Sequence, residues 1–356
     1  MWTKERPFLA VIRKRELLTR EGSEKRVVHF EVDISGSGIH YKVGDSVGIW
    51  PQNRPELVEA VLKRVGFQGD ERVTARGGEE MGLRDFLGQR ANLARGTKKL
   101  LAAGWQNGRD VEGLDLLDIL QELPRVAWHP QQLIDLLQPL LPRFYSIASS
   151  PLVHPNEVHL TVAAIEYDER GRRRHGVCSH YLERMVPLGE ACVPLYLQPS
   201  KDFTLPEEGE KSILMIGPGT GVAPYRGFLQ QRLAAGARGK NWLIFGERNA
   251  ATDFFYEEFW RQHEKSGQLK LDLAFSRDQS QKVYVQHRLQ EQAAQVWRWL
   301  EEGAIFYVCG DAKRMAPDVD EALRKIIGEQ GGKDEQAVHA YVKQMRADKR
   351  YLRDIY

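Results

Sequence analysis

The sequence predicts a chain of class α/β and β, in which an antiparallel β-barrel with a helical insertion precedes a doubly wound parallel sheet. Three observations predict this architecture: strand-like alternation in the first fifty residues, helical spacing after Pro55, and alternating strands and helices after Pro206. A chain of 356 residues is long enough for two or three domains, each with its own core. We expect the barrel in residues 1–51 and 141–205, the insertion in 52–140, and the parallel-sheet domain in 206–356.

Short strands separated by turns predict the barrel. The stretches at 8–12, 27–34 and 47–50 have strand-like patterns, with apolar and polar side chains alternating from 28 to 34, and Gly36, Gly38 and Gly44 mark turns between them. Strand patterns return at 143–147, 157–166 and 192–197. The barrel is therefore expected to be completed after the insertion.

In the predicted insertion, apolar residues recur at helical spacing rather than at the spacing of a strand. Leu57, Val58, Val61, Leu62 and Val65 recur at the spacing of one helical face, and 114–123 and 133–141 follow the same pattern. Residues 52–140 are therefore expected to be mostly helical.

The segment 206–210, rich in Pro, Gly and Glu, is expected to be a linker. Beyond it, short apolar strands at 213–216, 242–245, 269–275 and 305–309 alternate with helical patterns such as 225–233, 254–266 and 319–327. This alternation is typical of a parallel sheet covered by helices on both faces.

Composition excludes several function classes. The 51 basic and 49 acidic residues nearly cancel, which disfavours nucleic acid as a partner. The longest uncharged stretch, 212–225, is too short to span a membrane, and the N-terminal residues lack the apolar core of a signal peptide, so a cytoplasmic protein is expected. Three widely spaced cysteines and ten scattered histidines predict no disulfide framework, no iron–sulfur cluster and no metal site.

A glycine-rich turn follows the strand at 213–216. Gly217, Gly219, Thr220 and Gly221 lie between that strand and a helix, where free backbone N–H groups can bind a diphosphate. Val222 stands where a Rossmann motif would have its third glycine. Tight packing alone could also explain such a turn.

A second cluster follows the strand at 269–275. Ser276, Arg277 and Lys282 offer a hydroxyl and two cations, which suit the 2′-phosphate of NADP, whereas a carboxylate would suit the ribose 2′-OH of NAD. Tyr284 is available to stack on adenine, and Asp278 is expected to turn away. The alternative interpretation is an exposed charged turn.

Three further features suit redox chemistry. The run Arg143–Phe144–Tyr145–Ser146 offers a cation for a diphosphate, an aromatic ring for a flavin, and a hydroxyl for the flavin N5. The run Gly176–Val177–Cys178–Ser179 opens a helix and offers N–H groups to a second diphosphate. The third feature is Cys309–Gly310–Asp311 together with the tail that ends in Tyr356.

In this order and spacing, the motifs resemble the ferredoxin–NADP reductase family over nearly the whole chain. The resemblance is closest to the FAD/NADPH half of the diflavin reductases, because about ninety residues separate Gly48 from Arg143 and leave room for a helical connecting domain. The tail Arg350-Tyr-Leu-Arg-Asp-Ile-Tyr356 and the segment Lys240-Asn-Trp242 resemble the sulfite-reducing branch.

The resemblance implies FAD and NADPH as cofactors and a site for hydride transfer. It places Ser146, Cys309 and Asp354 around the nicotinamide and the flavin N5, with Tyr356 stacked on the flavin as a lid. The implied FAD residues are Arg143, Phe144, Tyr145, Ser146, Gly176, Val177, Cys178, Ser179 and Tyr356. The implied NADP residues are Gly217, Gly219, Thr220, Gly221, Ser276, Arg277, Lys282, Tyr284, Gln286, Cys309 and Asp311.

The implied function is an NADPH-dependent flavoprotein reductase that passes electrons to a separate protein. No FMN domain is expected in this chain, so the acceptor would be a flavodoxin-type FMN protein or a sulfite reductase haemoprotein. A free-standing flavodoxin or ferredoxin reductase is a neighbouring alternative. A docking subunit that keeps the fold but has lost catalysis is a third.

Overall fold

The computed structural model describes residues 2–104, 113–123 and 128–356, so parts of the predicted insertion, 105–112 and 124–127, lie outside the described residues. The chain divides into two compact units. Unit 1 comprises Met1–Val47, Phe144–Ala163 and Tyr196–Tyr356. Unit 2 comprises Gly48–Arg143 and Ala164–Leu195.

The described strands, in chain order, are β1 Phe8–Leu17, β2 Arg26–Asp33, β3 Ser46–Ile49, β4 Arg72–Thr74, β5 Glu80–Gly82, β6 Arg143–Ser146, β7 Glu157–Ala164, β8 Glu166–Glu169, β9 Arg172–His175, β10 Ala191–Gln198, β11 Ile213–Pro218, β12 Asn241–Glu247, β13 Lys270–Phe275, β14 Ile305–Gly310 and β15 Tyr351–Ile355.

The described helices are α1 Pro55–Val65, α2 Leu83–Gln89, α3 Lys98–Gly104, α4 Leu116–Glu122, α5 Pro130–Asp135, α6 Val177–His180, α7 Ala223–Ala234, α8 Ala250–Asp253, α9 Glu257–Lys265, α10 Val285–Glu291, α11 Ala293–Glu301, α12 Met315–Gly331 and α13 Glu335–Ala347. Helix α6 continues as a π-helical turn over Tyr181–Met185, and a 3₁₀ turn over Gly219–Val222 precedes α7.

The barrel strands form a six-stranded antiparallel sheet in the order β6-β3-β10-β1-β2-β7. Strands β1 and β2 pair over most of their length, with a register shift between Ile12 and Lys14. Such a bulge adds twist, which lets a sheet curve. The antiparallel prediction is confirmed.

The second sheet has five parallel strands in the order β13-β12-β11-β14-β15. Because side chains alternate across a strand, Leu214 and Ile216 enter one core, against α10 to α13, while Ile213 and Met215 enter the other, against α7 and α9. The sheet is thus buried on both faces, which explains why its strands read as continuous apolar runs. The doubly wound prediction is confirmed.

Unit 2 has its own apolar core, built from α1, α2, α4 and α5. Helix α4 begins with a capping box, in which Asp115 and Asp118 each bind the other's backbone N–H. Arg172 and Arg174 of strand β9 bind the same two carboxylates, with Arg172 Nη2 at 2.7 Å from Asp115 Oδ1. These pairs fix the β8–β9 hairpin, which leads directly into Gly176.

Two predicted helices differ from the structure. The pattern at 133–141 continues past the end of α5, but Pro139 lies outside the helix in an isolated bridge with Ala91, because proline cannot donate the helical hydrogen bond. The pattern at 254–266 is broken by Tyr256, whose φ of 58° lies in the left-handed region. The Tyr256 hydroxyl lies 2.6 Å from Thr161 Oγ1, and this part-buried contact helps to offset the cost of the unusual conformation.

The sequence pattern did not predict four elements of the structure: α10, α11, α13 and the edge strand β15. Among the described residues, no helix has the length and apolar character needed to cross a membrane.

Candidate active site

The centre of the candidate site is the carboxylate of Asp354 in unit 1. Strand β15 pairs in parallel with β14, and this register puts Asp354 beside Cys309. Ser146, at the end of β6, donates its hydroxyl hydrogen to Asp354 Oδ2 at 2.7 Å. Cys309 Sγ lies 3.8 Å from the same oxygen. Three side chains that are far apart in sequence therefore meet at one carboxylate oxygen.

The Cys309 thiol is fully buried. Burial, followed by the negative charge of Asp354, raises the pKa of this thiol well above its ordinary value. The sulfur therefore stays protonated near neutral pH and acts as a neutral donor toward Asp354 rather than as a thiolate nucleophile.

Tyr356 follows the edge strand and lies over the glycine-rich turn. Its backbone N–H donates to Gly310 O at 3.1 Å, and its hydroxyl lies 3.0 Å from Thr220 Oγ1. The residue is 63% exposed. Its role as a lid on a flavin stays a prediction.

Each glycine of the 217–221 turn is required at its position for a different structural reason. A Cβ on Gly217 would lie 2.6 Å from the Tyr225 ring, and one on Gly221 would lie 2.1 Å from Cys309 O. Gly219 has a φ of 59°, which disfavours other residues. Packing within the protein thus accounts for Gly217 and Gly221, and this packing brings the turn against strand β14, next to Cys309.

Ser276 and Arg277 lie just beyond β13, as the sequence predicts. Arg277 Nη1 binds Glu24 Oε2 at 2.7 Å, and Arg248, just beyond β12, binds the same oxygen. Sequence reasoning identified neither Glu24 nor Arg248. Strands β12 and β13 are neighbours, so residues just beyond their carboxyl ends lie close together. A basic residue three positions after the predicted strand at 242–245 was the available signal for Arg248, whereas no local pattern pointed to Glu24.

Other predicted NADP residues have defined positions. Asp278 accepts the backbone N–H of Ala250 at 3.1 Å, so its carboxylate is used at the start of α8. Lys282 and Tyr284 are exposed. Gln286 Nε2 donates to Asp318 at 3.0 Å.

Asp311 is also engaged within the protein. It accepts the N–H of Arg314 at 2.6 Å at the start of α12, and this hydrogen bond is the main cause of its lowered pKa.

Phe144 and Tyr145 belong to β6, like Ser146. Phe144 is 54% exposed, and its ring meets Tyr196 edge to face at a centroid distance of 6.2 Å. Tyr145 is half-buried. An exposed ring and a half-buried ring on one short strand are suited to contact a planar ligand.

The residues predicted to bind the FAD diphosphate lie in unit 2. Arg143 is exposed, and Gly176 precedes α6, in which Cys178 and Ser179 are buried while Val177 is half-buried. A Cβ on Gly176 would lie 2.8 Å from Ser179 Oγ and 2.9 Å from Ile165 Cβ, so only glycine fits there.

A cavity in unit 2 adjoins Val177. Asn53, Arg54, Tyr167 and His175 also line it. Asn53 Nδ2 donates to two backbone carbonyls, but its buried Oδ1 has no hydrogen-bond partner among the described residues. A buried acceptor without a hydrogen-bond partner costs free energy, and this one belongs to a residue of the cavity wall.

Unit 1 contains a histidine cluster that the sequence pattern did not indicate, formed by His29, His154 and His159 with Glu31 and Glu157. The groups are close enough to hold a cation. However, Arg226 Nη1 lies 3.2 Å from His159 Nδ1 and donates to it, and its positive charge opposes a bound metal. The sequence-based expectation of no metal site therefore stays a prediction.

Comparison with known proteins matches two families. Residues 2–80 and 91–181 match the FAD binding domain, and residues 215–321 match the oxidoreductase NAD-binding domain. The predicted cofactors, FAD and NADPH, are confirmed at the level of these domains.

Curated relatives carry the name sulfite reductase (NADPH) flavoprotein alpha-component. The chain is 42% identical to that of Vibrio cholerae serotype O1, 40% to that of Bacillus subtilis strain 168, and 41% to that of Salmonella typhimurium strain LT2. Each alignment covers 100% of this chain but only 60% to 62% of the relative. The chain thus spans about three fifths of the length of these relatives.

Both domain matches occur in the order that the sequence motifs predicted. The similarity to the curated relatives extends over both domains and covers 100% of this chain. The chain therefore combines an FAD-binding domain with an oxidoreductase NAD-binding domain, as its resemblance to the ferredoxin–NADP reductase family predicts, and it is similar to the corresponding part of the sulfite reductase (NADPH) flavoprotein alpha-component.

Proposed function

We propose that this protein takes hydride from NADPH onto FAD and passes the electrons to a separate one-electron acceptor protein. The observation that carries the proposal is the meeting of Ser146, Cys309 and Asp354 at one carboxylate oxygen. FAD, when bound, would supply the ability to accept two electrons together and release them singly.

Each residue of this group has a distinct part. The Asp354 carboxylate would stabilise positive charge that develops on the nicotinamide as hydride leaves. Ser146 would offer its hydroxyl hydrogen to the flavin N5 when it is not bound to Asp354. Cys309, as a buried neutral thiol, would fill the space beside the nicotinamide without adding a charge.

The residues of unit 2 would hold the adenosine diphosphate part of FAD. Arg143 and the N–H groups of the Gly176 to Ser179 turn suit a diphosphate. Asn53 Oδ1, which has no hydrogen-bond partner among the described residues, supports this assignment, because a ribose hydroxyl or the adenine amino group would give it a donor if the side chain turned toward the cavity. Phe144, Tyr145 and Tyr356, from unit 1, are proposed to contact the flavin ring.

The residues beyond β11 and β13 would hold NADPH. The turn of Gly217, Gly219, Thr220 and Gly221 is proposed to bind the diphosphate. Ser276, Arg277 and Lys282 are proposed for the 2′-phosphate, with Tyr284 on the adenine, and Gln286, Cys309 and Asp311 complete the proposed set. We also propose the division into 1–51 with 141–205, 52–140, and 206–356 as the FAD-binding, connecting and NADP-binding parts.

The acceptor is proposed to be a flavodoxin-type FMN protein or a sulfite reductase haemoprotein. The names of the relatives support the haemoprotein, since these relatives are flavoprotein components of sulfite reductase. The predicted cytoplasmic location rests on the sequence and stays a prediction.

The test uses the purified protein under anaerobic conditions. We expect a yellow protein that releases one FAD per chain on extraction, is bleached by NADPH, and then reduces one of the two classes of acceptor when mixed with it. A colourless protein would favour the docking subunit. Rapid reduction of ferredoxin, with neither proposed acceptor reduced, would favour the free-standing reductase.

A further inference from the structure

The carboxylate of Glu24 lies where two arginines converge, at the carboxyl ends of β12 and β13. Its Oε2 is 2.7 Å from Arg277 Nη1 and 2.9 Å from Arg248 Nη1. The hydrogen bond to Arg277 is the main cause of the lowered pKa of Glu24. One carboxylate oxygen thus serves as the shared counterion of both guanidinium groups.

The two arginines are held side by side by the sheet. Arg248 directly follows β12 and Arg277 lies two residues beyond β13, and these strands are parallel neighbours. The Arg277 N–H donates to Arg248 O at 2.8 Å, which ties the two backbones together beyond the sheet. The backbones that carry the two guanidinium groups would therefore stay in place if Glu24 moved away.

The loop that carries Glu24 is anchored on both sides. Arg20 Nη2 binds Glu257 at 2.6 Å, Ser23 Oγ donates to Asp253 at 2.5 Å, and Lys25 Nζ binds Glu247 Oε2 at 2.6 Å. These contacts fix the loop backbone beside the arginines. Glu24 itself is 65% exposed in its side chain, so only its rotamer has to change for it to leave.

We propose that Glu24 occupies the 2′-phosphate position in the cofactor-free protein and competes with that phosphate for Arg277 and Arg248. This inference rests on the proposed NADPH function. A phosphate brings nearly two negative charges and three acceptor oxygens, whereas the carboxylate brings one charge, so the phosphate displaces it. An exposed ion pair stabilises little, which keeps the displacement feasible.

The same carboxylate acts differently toward a cofactor without the phosphate. With NADH, nothing displaces Glu24 from the arginines, and its oxygen is available to accept the ribose 2′-OH. Glu24 therefore reduces the ratio of NADPH affinity to NADH affinity in two ways. It weakens binding of the 2′-phosphate, and it supports binding of the ribose 2′-OH.

The experiment measures binding of 2′,5′-ADP and 5′-AMP to the holoprotein by calorimetry at low and moderate salt. Glu24→Gln is compared with Glu21→Gln, which makes the same charge change in the same loop. We expect Glu24→Gln to tighten 2′,5′-ADP roughly two- to fivefold, the range set by exposed ion pairs. It should leave 5′-AMP unchanged or weaker, and Glu21→Gln should change neither beyond a general charge effect.

Two outcomes would overturn the inference in distinguishable ways. If Glu24→Gln binds 2′,5′-ADP no tighter than Glu21→Gln while Arg277→Ala binds it much more weakly, Glu24 does not compete and the NADPH site stands. If Arg277→Ala also leaves 2′,5′-ADP binding intact, the phosphate site itself is misplaced and the inference falls with it.

Discussion

Asp354 is the residue on which the proposed chemistry depends most directly. Its Oδ2 receives the Ser146 hydroxyl, and the Cys309 thiol is close to the same atom. The sequence singled out these residues only through family resemblance, because nothing local in the chain indicates that positions 146 and 354 meet.

Replacing Asp354 by Asn tests the electrostatic part of this role. Asparagine keeps an acceptor oxygen for Ser146 but removes the negative charge, so hydride transfer should slow by about ten- to a hundredfold. Anaerobic stopped-flow measurement of flavin reduction by NADPH gives this rate directly. NADP⁺ affinity should change little, and an unchanged rate would show that the carboxylate only positions Ser146.

Tyr356→Ala provides the contrasting variant. If the ring covers the flavin, its removal should tighten NADP⁺ binding and relax discrimination against NADH. It should not remove the electrostatic stabilisation of the nicotinamide, because the Asp354 carboxylate is still present. An equal slowing of hydride transfer in both variants would mean that the whole tail is being disturbed rather than one carboxylate.

At the level of elements, the glycine turn shows what sequence reasoning could and could not provide. Its position between β11 and α7 was predictable from the glycines. The contact that makes Gly221 necessary was not, because Cys309 lies 88 positions later and reaches it only through the β11–β14 pairing. Similarly, the edge strand β15 was missed, since five residues with two charges do not resemble a strand outside the sheet.

Gly221→Ala should destabilise the protein by about 1–3 kcal/mol, because its Cβ would overlap the Cys309 carbonyl and force the backbone to shift. Urea unfolding measures the change. Gly88→Ala is the control. Gly88 lies in α2, and no atom would lie within 4 Å of the added Cβ, so this variant should be more stable by about 0.5–1 kcal/mol. Equal effects in both variants would refute the close approach.

At the scale of the whole molecule, the order of strand-like and helix-like patterns along the chain was sufficient to predict both sheets. The side-chain network between distant segments was not. Glu24 meets Arg277, and His29 meets His159, although the partners are more than a hundred positions apart in the sequence. Periodicity reports which face of an element is apolar, but it carries no information on which charged groups will face one another.

The histidine cluster predicts how stability depends on pH. Burial, followed by the charge of Arg226, lowers the pKa of His29 to about 2 and that of His159 to about 3. Because the fold holds both imidazoles neutral, stability should be full above the unfolded pKa of 6.5 and fall as the pH drops below it. At pH 5 the loss is at most roughly 2 kcal/mol for each imidazole.

Urea unfolding at pH 7.5 and pH 5 measures this difference. His159→Gln should reduce the pH dependence, whereas Gln in place of the exposed His339 should not. Glu31, Glu157 and Lys14 also act on the cluster, so the slope between the two pH values, rather than the stability at one pH, is the quantity to compare. Equal slopes in all three proteins would exclude the cluster as the cause.

The pairing of Ser146 with Asp354 joins residues 208 positions apart. Contacts of such long range close late, because a large loop must be ordered before they form. During refolding, each sheet can regain its own secondary structure before this hydroxyl and carboxylate meet. Recovery of hydride transfer should therefore lag behind the return of the helical circular dichroism signal, so the redox reaction reports on the formation of this long-range contact rather than on the helices.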